Sequence, residues 1–378
     1  MISKRCTNLK PFYVMEILER AKELEKSGRK IIHLEIGEPD FDTPACVKQA
    51  ACQAMDRGET HYTHSLGIPE LRQAISRHYR NTYRVAVDPG RIIVTAGTSP
   101  AMFMLFSALL HPGEEVILSD PHYACYPSFI CFAGGNPVKI KVNQDNGFQL
   151  TPDVVKSNLS PHTKGIFINS PSNPTGNVTP PETLEKLAEI GPYIISDEIY
   201  HGLVYEGREH SILEYTDNAF VLNGFSKLYA MTGWRLGYII APDSFVRTLQ
   251  IVHQNFFISA NSMAQWAGIA ALEKAHDDVE KMKKIYNQRR LYLLERLRKM
   301  GFGITVEPTG AFYILANAEF LSSNSYDLAF DILEKAGVGV APGIDFGEGA
   351  EGYLRFSYAN SLENIKAGMN RLEDYVNS

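Results

Sequence analysis

Hydrophobic and polar positions change their spacing along the chain. Residues 12–26 carry apolar side chains at helical spacing and the run stops at Gly28, which predicts an amphipathic helix. From about residue 91 to residue 241, short β-rich runs alternate with helical stretches or with turns rich in proline and glycine. The predicted strands are Ile92–Ala96, Glu115–Ser119, Val138–Val142, Gly165–Asn169, Tyr193–Ser196, Ala219–Asn223 and Leu236–Ala241. Several of these runs are almost wholly apolar, as strands covered on both faces are.

Strand–helix alternation of this kind predicts an α/β protein whose sheet is mostly parallel and flanked by helices. A charged helix is predicted from about 277 to 300, followed by a second strand–helix set and a final helix from about 362 to 376. We therefore expect a large domain over residues 41–280 and a smaller α/β domain built from residues 1–40 and 281–378. Ligands of such sheets lie beyond the carboxyl ends of the strands, so the residues that follow each strand are the candidates for chemistry.

The stretch Asn223–Tyr238 begins within a predicted strand and holds the clearest candidates. Lys227 would be partly desolvated there, and desolvation disfavours the charged ammonium, which makes the amine a better nucleophile for Schiff-base chemistry. Arg235, eight residues on, offers a planar two-pronged grip for a phosphate or a carboxylate. Taken alone, a lysine and an arginine near a strand end are more often surface charges.

Three further clusters follow predicted strands. A loop rich in turn-forming residues carries Asn173. Asp197 ends an apolar strand, where a carboxylate needs a cationic partner or several hydrogen-bond donors. Thr95–Ser99 lies between a strand and the helix that Pro100 is expected to begin, which is the geometry of an anion site at a helix N-terminus. Each cluster alone would be interpreted as a loop, a cap or a turn, but together they favour a binding site.

These motifs resemble the fold-type-I, pyridoxal-phosphate-dependent aminotransferases of class I/II, in the branch related to aspartate and aromatic aminotransferases. The resemblance extends from Gly37-Glu-Pro-Asp-Phe41, through Tyr62-Thr-His-Ser-Leu-Gly67, to Arg355, and so covers nearly the whole chain. Its most specific element is the Ser-Lys-x4-Thr-Gly-Trp-Arg pattern of residues 226–235. The resemblance implies an aspartate aminotransferase-like fold. It also implies transfer of an amino group from an L-amino acid (aromatic, neutral or aspartate-like) to a 2-oxo acid such as 2-oxoglutarate.

The resemblance implies a role for each matching position around the ring of the cofactor, pyridoxal 5′-phosphate. Lys227 would form the aldimine with it, and Asp197 would pair with the protonated ring nitrogen, which keeps the ring an electron sink. Asn173 and Tyr200 would hydrogen-bond the phenolic oxygen, and Tyr123 would stack over the ring. Lys227, Asp197 and Tyr200 are the expected catalytic residues.

The resemblance also implies a phosphate site and a second subunit. Gly97, Thr98, Ser99 and Arg235 would hold the phosphate. Tyr62 matches a tyrosine that reaches the phosphate from the neighbouring subunit, which implies a homodimer with shared active sites.

The resemblance also implies a substrate site. Gly37, Asn173 and Arg355 would bind the substrate, with Gly37 and Arg355 at its α-carboxylate.

Many relatives carry a hydroxyl residue three positions before the lysine, as another phosphate ligand, and this chain has Gly224 there. Ser226, beside the lysine, is the cofactor-binding candidate that could replace the contact. The departure puts one phosphate contact in question and leaves the cofactor assignment unchanged.

Composition argues against a nucleic-acid partner and against a membrane span. The 37 Lys and Arg residues against 43 Asp and Glu residues leave a formal charge of −6, without the basic excess that nucleic-acid partners need. The most apolar window, residues 101–110, is about half of the roughly 20 residues that a membrane span requires. The five cysteines, without C-x-x-C spacing, indicate reduced thiols and a cytoplasmic protein. His61 and His64 have no third ligand at useful spacing, so no metal site is expected.

Two other functions stay open beside transamination. A carbon–sulfur β-lyase on the same cofactor and fold would release pyruvate and ammonia from cysteine-like substrates without an amino acceptor. A cofactor-binding regulatory protein is disfavoured, because no DNA-binding module is expected before residue 12. The candidates for lining the side-chain pocket (Phe12, Tyr13, Ile36 and residues 255–262) include no arginine for a second carboxylate. This favours aromatic or neutral amino acids, with glutamate and 2-oxoglutarate as the partner pair.

Overall fold

The computed structural model describes residues 2, 3, 6 and 9–378; residues 1, 4, 5, 7 and 8 of the predicted small domain lie outside the described residues. The helices are α1 Tyr13–Lys26, α2 Ala45–Asp56, α3 Pro69–Tyr83, α4 Thr98–Leu109, α5 Tyr126–Phe132, α6 Pro152–Ser157, α7 Pro181–Ala188, α8 Asp243–Phe256, α9 Ser262–Lys274, α10 His276–Lys299, α11 Ser325–Ala336 and α12 Leu362–Val376. The strands are β1 Ile32–His33, β2 Ile92–Thr95, β3 Glu115–Asp120, β4 Asn136–Lys141, β5 Thr163–Asn169, β6 Tyr193–Asp197, β7 Ala219–Gly224, β8 Gly237–Ile240, β9 Tyr313–Asn317, β10 Val338–Gly339, β11 Ala341–Pro342 and β12 Tyr353–Ser357.

The large sheet has the strand order β2-β8-β7-β6-β5-β3-β4. Strands β4, β3, β5, β6 and β7 pair in parallel, whereas β8 runs antiparallel to both of its neighbours, β7 and β2. Each predicted strand is present, with ends shifted by at most two residues. The mostly parallel α/β sheet expected from the apolar pattern is therefore confirmed.

The inner strands are apolar in their middle because both of their faces are covered. In β6, Ile194 packs into one hydrophobic core and Ile195 into another, and both side chains are fully buried, whereas Ser196 and Asp197 lie at the carboxyl end. Successive side chains of a strand point to opposite faces, so the middle of a strand between two helical layers is apolar on both faces. Helix α4 and the buried Leu249 of α8 pack on the second of these faces.

A smaller set of strands comes from the two ends of the chain. Strands β11, β12 and β9 form an antiparallel sheet in that order, and the short β1 pairs in parallel with β10. The pairing of Ile32 with Val338 joins the N-terminal part of the described chain to its C-terminal third. The division at residues 40 and 281 stays a prediction, and residue 281 lies within α10.

One helix begins earlier than predicted. Helix α4 begins at Thr98, so Pro100 lies in its first turn and does not begin it. A proline fits there because the N–H that it lacks would have no partner within the helix. The residue before the helix, Gly97, has a φ of +102°, which favours glycine.

The described residues contain no helix that is both long enough and apolar enough to span a membrane. They also contain no group of three or more His, Cys, Asp or Glu side chains that could hold a metal ion. His64 accepts a hydrogen bond from the N–H of Leu66, at 3.2 Å, and so takes part in the turn that follows Tyr62. All five cysteines are unpaired.

A pair of substitutions tests whether both faces of the sheet are buried. We expect Ile194→Ala and Ile195→Ala each to lower the free energy of unfolding by about 2–5 kcal/mol, because each leaves a cavity in a different core. The control Leu291→Ala, at a side chain that is 52% exposed, should change it by less than about 0.5 kcal/mol. Urea unfolding followed by circular dichroism measures all three. A loss in only one of the two isoleucine variants would contradict a sheet covered on both faces.

Candidate active site

A cavity of about 360 Å³ opens at the carboxyl ends of the parallel strands. All the predicted site residues line it except Gly97, which lies behind Arg235, and Tyr62. Those that line it are Gly37, Thr98, Ser99, Tyr123, Asn173, Asp197, Tyr200, Ser226, Lys227, Arg235 and Arg355. Because β8 runs against its neighbours, Arg235, which precedes it, reaches the same edge of the sheet as the residues that follow the parallel strands.

Lys227 follows β7 by three residues, and its side chain lines the cavity. Its Nζ donates a hydrogen bond to the carbonyl of Gly37 at 2.6 Å. Burial lowers the pKa of Lys227 to about 8; Glu38 opposes this shift, whereas Arg355 and Arg235 add to it. The lowered pKa brings the neutral, nucleophilic amine close to physiological pH.

Asp197 is the last residue of β6 and is almost completely buried. Its Oδ2 accepts a hydrogen bond from the hydroxyl of Tyr126 at 2.8 Å, and its Oδ1 accepts one from the N–H of Ile199 at 3.1 Å. Burial raises the pKa of Asp197 to about 6, and these two hydrogen bonds oppose the shift. No lysine or arginine among the described residues forms an ion pair with Asp197, so the carboxylate faces the cavity without a cationic partner.

The start of α4 has the geometry that favours binding of an anion. The first turn of this helix contributes Thr98 and Ser99, and unpaired N–H groups at a helix N-terminus attract negative charge. Arg235 lies against Gly97, where a Cβ would come within 2.7 Å of its Nη2. Glycine is therefore required at residue 97 both for its φ and for the approach of the guanidinium. Together these groups provide two kinds of donor for a phosphate.

Arg355 comes from the middle of β12 and is 2% exposed. Its Nη1 donates to Oδ1 of Asn173 at 2.9 Å, and its Nη2 donates to the carbonyl of Glu35 at 2.5 Å. The guanidinium carbon lies 4.3 Å from the ring centre of Tyr313 and 4.7 Å from that of Phe346, both within cation–π range. A planar cation held on four sides at the cavity wall suits a carboxylate ligand.

Two tyrosines of the cavity were missed by the sequence analysis. Tyr313, from β9, exchanges a hydrogen bond with the hydroxyl of Tyr200 at 2.9 Å, and burial holds the pKa of Tyr200 well above its usual range. Tyr126 supports Asp197 and follows Tyr123 by three residues, and that helical spacing is the signal that could have identified it. No local signal marks Tyr313, because its strand pairs with β12 of the small sheet and its partner Tyr200 is distant in the sequence.

The position of Gly224 has a steric explanation. A Cβ at this residue would lie 3.0 Å from the carbonyl oxygen of Leu236 and 3.1 Å from the Cα of Gly237. The backbone at Leu236 and Gly237 therefore leaves little room for a side chain at residue 224. Ser226 lines the cavity beside Lys227, whereas Tyr62 is 81% exposed on the single chain.

Comparison with known proteins agrees with this geometry. The model of a family described as aminotransferase class I and II matches residues 29–372. The chain is 42% identical to (5-formylfuran-3-yl)methyl phosphate transaminase of Methanocaldococcus jannaschii over 100% of both chains. It is 39% identical to the aspartate/prephenate aminotransferase of Thermus thermophilus, over 98% of this chain and 97% of the relative. A double mutant of Thermus thermophilus aspartate aminotransferase superposes with a TM-score of 0.95 at 39% identity, over 99% of each chain. These relatives are transaminases, and none of them favours the lyase alternative.

The reactivity of Lys227 should depend on pH in a way that reports its desolvation. We expect its acylation by acetic anhydride in the cofactor-free protein to rise as the pH passes through about 8, because only the neutral amine reacts. Since Glu38 raises this pKa, Glu38→Gln should move the midpoint to lower pH, whereas Glu363→Gln on exposed α12 should not. Mass spectrometry of the labelled peptide gives the rates. A midpoint at 10.5, the ordinary value, would contradict the desolvation of Lys227.

Proposed function

The chain belongs to the class I and II aminotransferases, which depend on pyridoxal 5′-phosphate, and we propose that it moves the amino group of an aromatic or other neutral L-amino acid to a 2-oxo acid such as 2-oxoglutarate. The observation that carries the proposal is the single cavity in which Lys227, Asp197 and Arg355 meet. The bound cofactor supplies an electron-withdrawing ring that accepts the electron pair released at the substrate α-carbon.

The ring of the cofactor fits the buried groups of the cavity. Asp197, a carboxylate without a cationic partner among the described residues, would hold the protonated ring nitrogen. Asn173 and Tyr200 would bind the phenolic oxygen, since burial keeps the Tyr200 phenol protonated and able to donate. Tyr123 would cover the face of the ring, and Lys227 would link covalently to the cofactor.

The phosphate of the cofactor fits the first turn of α4. Gly97, Thr98 and Ser99 would offer N–H groups to it, and Arg235 would supply the positive charge. Ser226, which lines the cavity next to the lysine, would give a further hydroxyl contact.

Two residues of the chain would act on the substrate directly. Arg355 would bind the α-carboxylate together with Gly37 and Asn173, and so orient the bond between the α-carbon and its hydrogen. Lys227, once displaced by the incoming amine, would take the proton from the α-carbon and return it at the other end of the transfer. Its lowered pKa supports this role, since a base must be neutral to accept a proton.

The wall that faces the substrate side chain is apolar. Phe12, Val14, Met15, Leu18 and Ile36 line this part of the cavity. The cations that line the cavity among the described residues of this chain are Lys227, Arg235 and Arg355, and each of them has a proposed role. A second carboxylate on the substrate would therefore lack a cation from this chain. Aspartate is the second candidate donor, favoured by the names of the relatives.

A homodimer is part of the proposal. The loop that carries Tyr62 is bonded to α8, because Ser65 accepts hydrogen bonds from Gln250 and Gln254. Helix α8 in turn exposes Phe256, an apolar side chain that a second copy would cover. Tyr62 would then reach the partner's phosphate site. We also propose that the protein works in the cytoplasm, which its unpaired cysteines support.

The proposed reaction is tested with the protein loaded with pyridoxal phosphate. We expect glutamate to form from 2-oxoglutarate, fastest with aromatic or neutral donors and more slowly with aspartate. Lys227→Ala should lower the rate by roughly 10²–10⁴-fold or more, since it removes the residue that moves the proton. The control Lys281→Ala, on the exposed side of α10, should keep the activity. Pyruvate and ammonia from cysteine without an acceptor would favour a lyase, and aspartate as the best donor would replace the proposed substrate class.

The phosphate site is tested at Gly97. A Cβ on Gly97 would displace Arg235, so we expect Gly97→Ala to weaken binding of pyridoxal phosphate by about tenfold, which corresponds to roughly 1.4 kcal/mol. The control Gly28→Ala carries a similar φ of +93° but has open space around its Cβ, so it should leave the affinity unchanged. Absorbance titration of the cofactor-free protein gives both dissociation constants. An equal effect of the two variants would argue against Arg235 as a phosphate ligand.

A further inference from the structure

One short segment, residues 33–37, holds two cations of the active site through its backbone. The carbonyl of Glu35 accepts the hydrogen bond from Nη2 of Arg355, and the carbonyl of Gly37 accepts the one from Nζ of Lys227. The segment begins at His33, the last residue of the two-residue strand β1, and has no regular structure beyond it. The position of both cations therefore depends on what holds this segment in place.

Backbone hydrogen bonds fix the beginning of the segment. The N–H of Leu34 donates to the carbonyl of Gly339 at 2.9 Å, and the carbonyl of Leu34 accepts from the N–H of Ser357 at 2.7 Å. The second bond ties the segment to β12, the strand that carries Arg355. Beyond residue 34, the side chain of Glu35 supplies the next anchor.

Glu35 is completely buried, yet it does not line the active-site cavity. Its Oε1 lies 2.6 Å from Nδ1 of His33, and its Oε2 has no hydrogen-bond partner among the described residues. The space for Oε2 exists because residue 339 is glycine, where a Cβ would lie 2.2 Å from that oxygen. A buried carboxylate is costly without a positive partner, so the burial of Glu35 depends on His33.

His33 bridges two carboxylates. Its Nε2 lies 3.2 Å from Oε1 of Glu25, near the end of α1, while its Nδ1 faces Glu35. An imidazole ring can donate from both nitrogens only when it is protonated. The hydrogen bond with Glu35 is the main cause that raises the pKa of His33 to about 9, so the ring is charged at neutral pH.

We infer that His33 and Glu35 are positioning residues for amino-group transfer: the ion pair between the half-buried His33 and the fully buried Glu35 fixes the carbonyls of Glu35 and Gly37, and through them Arg355 and Lys227. The inference rests on the proposed role of Arg355 in binding the substrate carboxylate. Neither side chain lines the cavity, so both act through the segment that joins them to the two cations. Because the Glu35 side chain bonds to His33, Arg355 contacts Glu35 only at its backbone carbonyl, and the guanidinium stays available for the carboxylate of the substrate.

The holoenzyme carrying His33→Ala tests the inference. This variant leaves Glu35 buried without a positive partner, and the segment should shift to relieve it. We expect KM for the amino donor to rise by roughly tenfold, below the hundredfold that a displacement of about 1 Å can cost, and kcat to change less. Binding of 3-phenylpropionate, an aromatic carboxylate without an amino group, should weaken by a similar factor in a titration followed by cofactor absorbance.

The double variant His33→Ala/Glu35→Gln separates lost charge balance from lost packing. Removing the unpaired charge should return KM to within about threefold of the wild type, since a neutral amide can stay buried at less cost. The control His210→Ala breaks a half-buried pair of the same kind, in which His210 lies 3.0 Å from Glu214 and outside the cavity. It should lower Tm and leave KM unchanged.

Several results would overturn the inference. An unchanged KM in His33→Ala with a lowered Tm would show a purely structural role, and a double variant with KM as high as the single one would refute charge balance. If His33→Ala does not fold, His33→Leu, which keeps the side-chain volume, takes its place with the same expectations. Absence of transamination by the wild-type holoenzyme would instead overturn the proposed function, and this inference with it.

Discussion

Asp197 ends strand β6 and Lys227 follows the neighbouring strand β7, and at both positions burial opposes the charged form of the side chain. The pKa of Asp197 rises to about 6 and that of Lys227 falls to about 8, so both groups are drawn toward neutrality in an otherwise charged site. In the proposed function, a cationic ring nitrogen would give Asp197 a partner, and the neutral amine of Lys227 would react with a carbonyl group. The surrounding residues bury these two side chains and hold them by hydrogen bonds: Tyr126 and Ile199 bond to Asp197, and Gly37 bonds to Lys227.

The small sheet completes the cavity from the opposite side. Arg355 and Tyr313 lie on paired strands of that sheet, and the short pairing of β1 with β10 brings the backbone of residues 33–37 against both cations. Glycine leaves space for two charged side chains in this region. A Cβ at Gly97 would overlap Arg235, and a Cβ at Gly339 would overlap Glu35. Backbone carbonyls therefore help to hold two cations of the site: that of Gly37 accepts a hydrogen bond from Lys227, and that of Glu35 accepts one from Arg355.

The strands of the large sheet and the residues after them could be predicted, because both follow from local rules. A strand buried on both faces is apolar in its middle, and its carboxyl end and the turn that follows carry the polar groups. The start of α4 was placed two residues late, since proline is compatible with any position of a first helical turn. Tyr313 was not predicted, because its place at Tyr200 depends on a strand more than a hundred residues away.

The sequence by itself determined the fold class, the family and most of the predicted site residues that line the cavity, because apolar periodicity and short motifs are local properties of the chain. Only the tertiary structure decided which backbone carbonyls hold Lys227 and Arg355, how closely the backbone at Leu236 and Gly237 approaches residue 224, and that His33 pairs with the buried Glu35 next to Arg355. These features arise where segments from both ends of the chain meet. Contacts across such distances are set by how whole strands and sheets pack, and no local pattern records them.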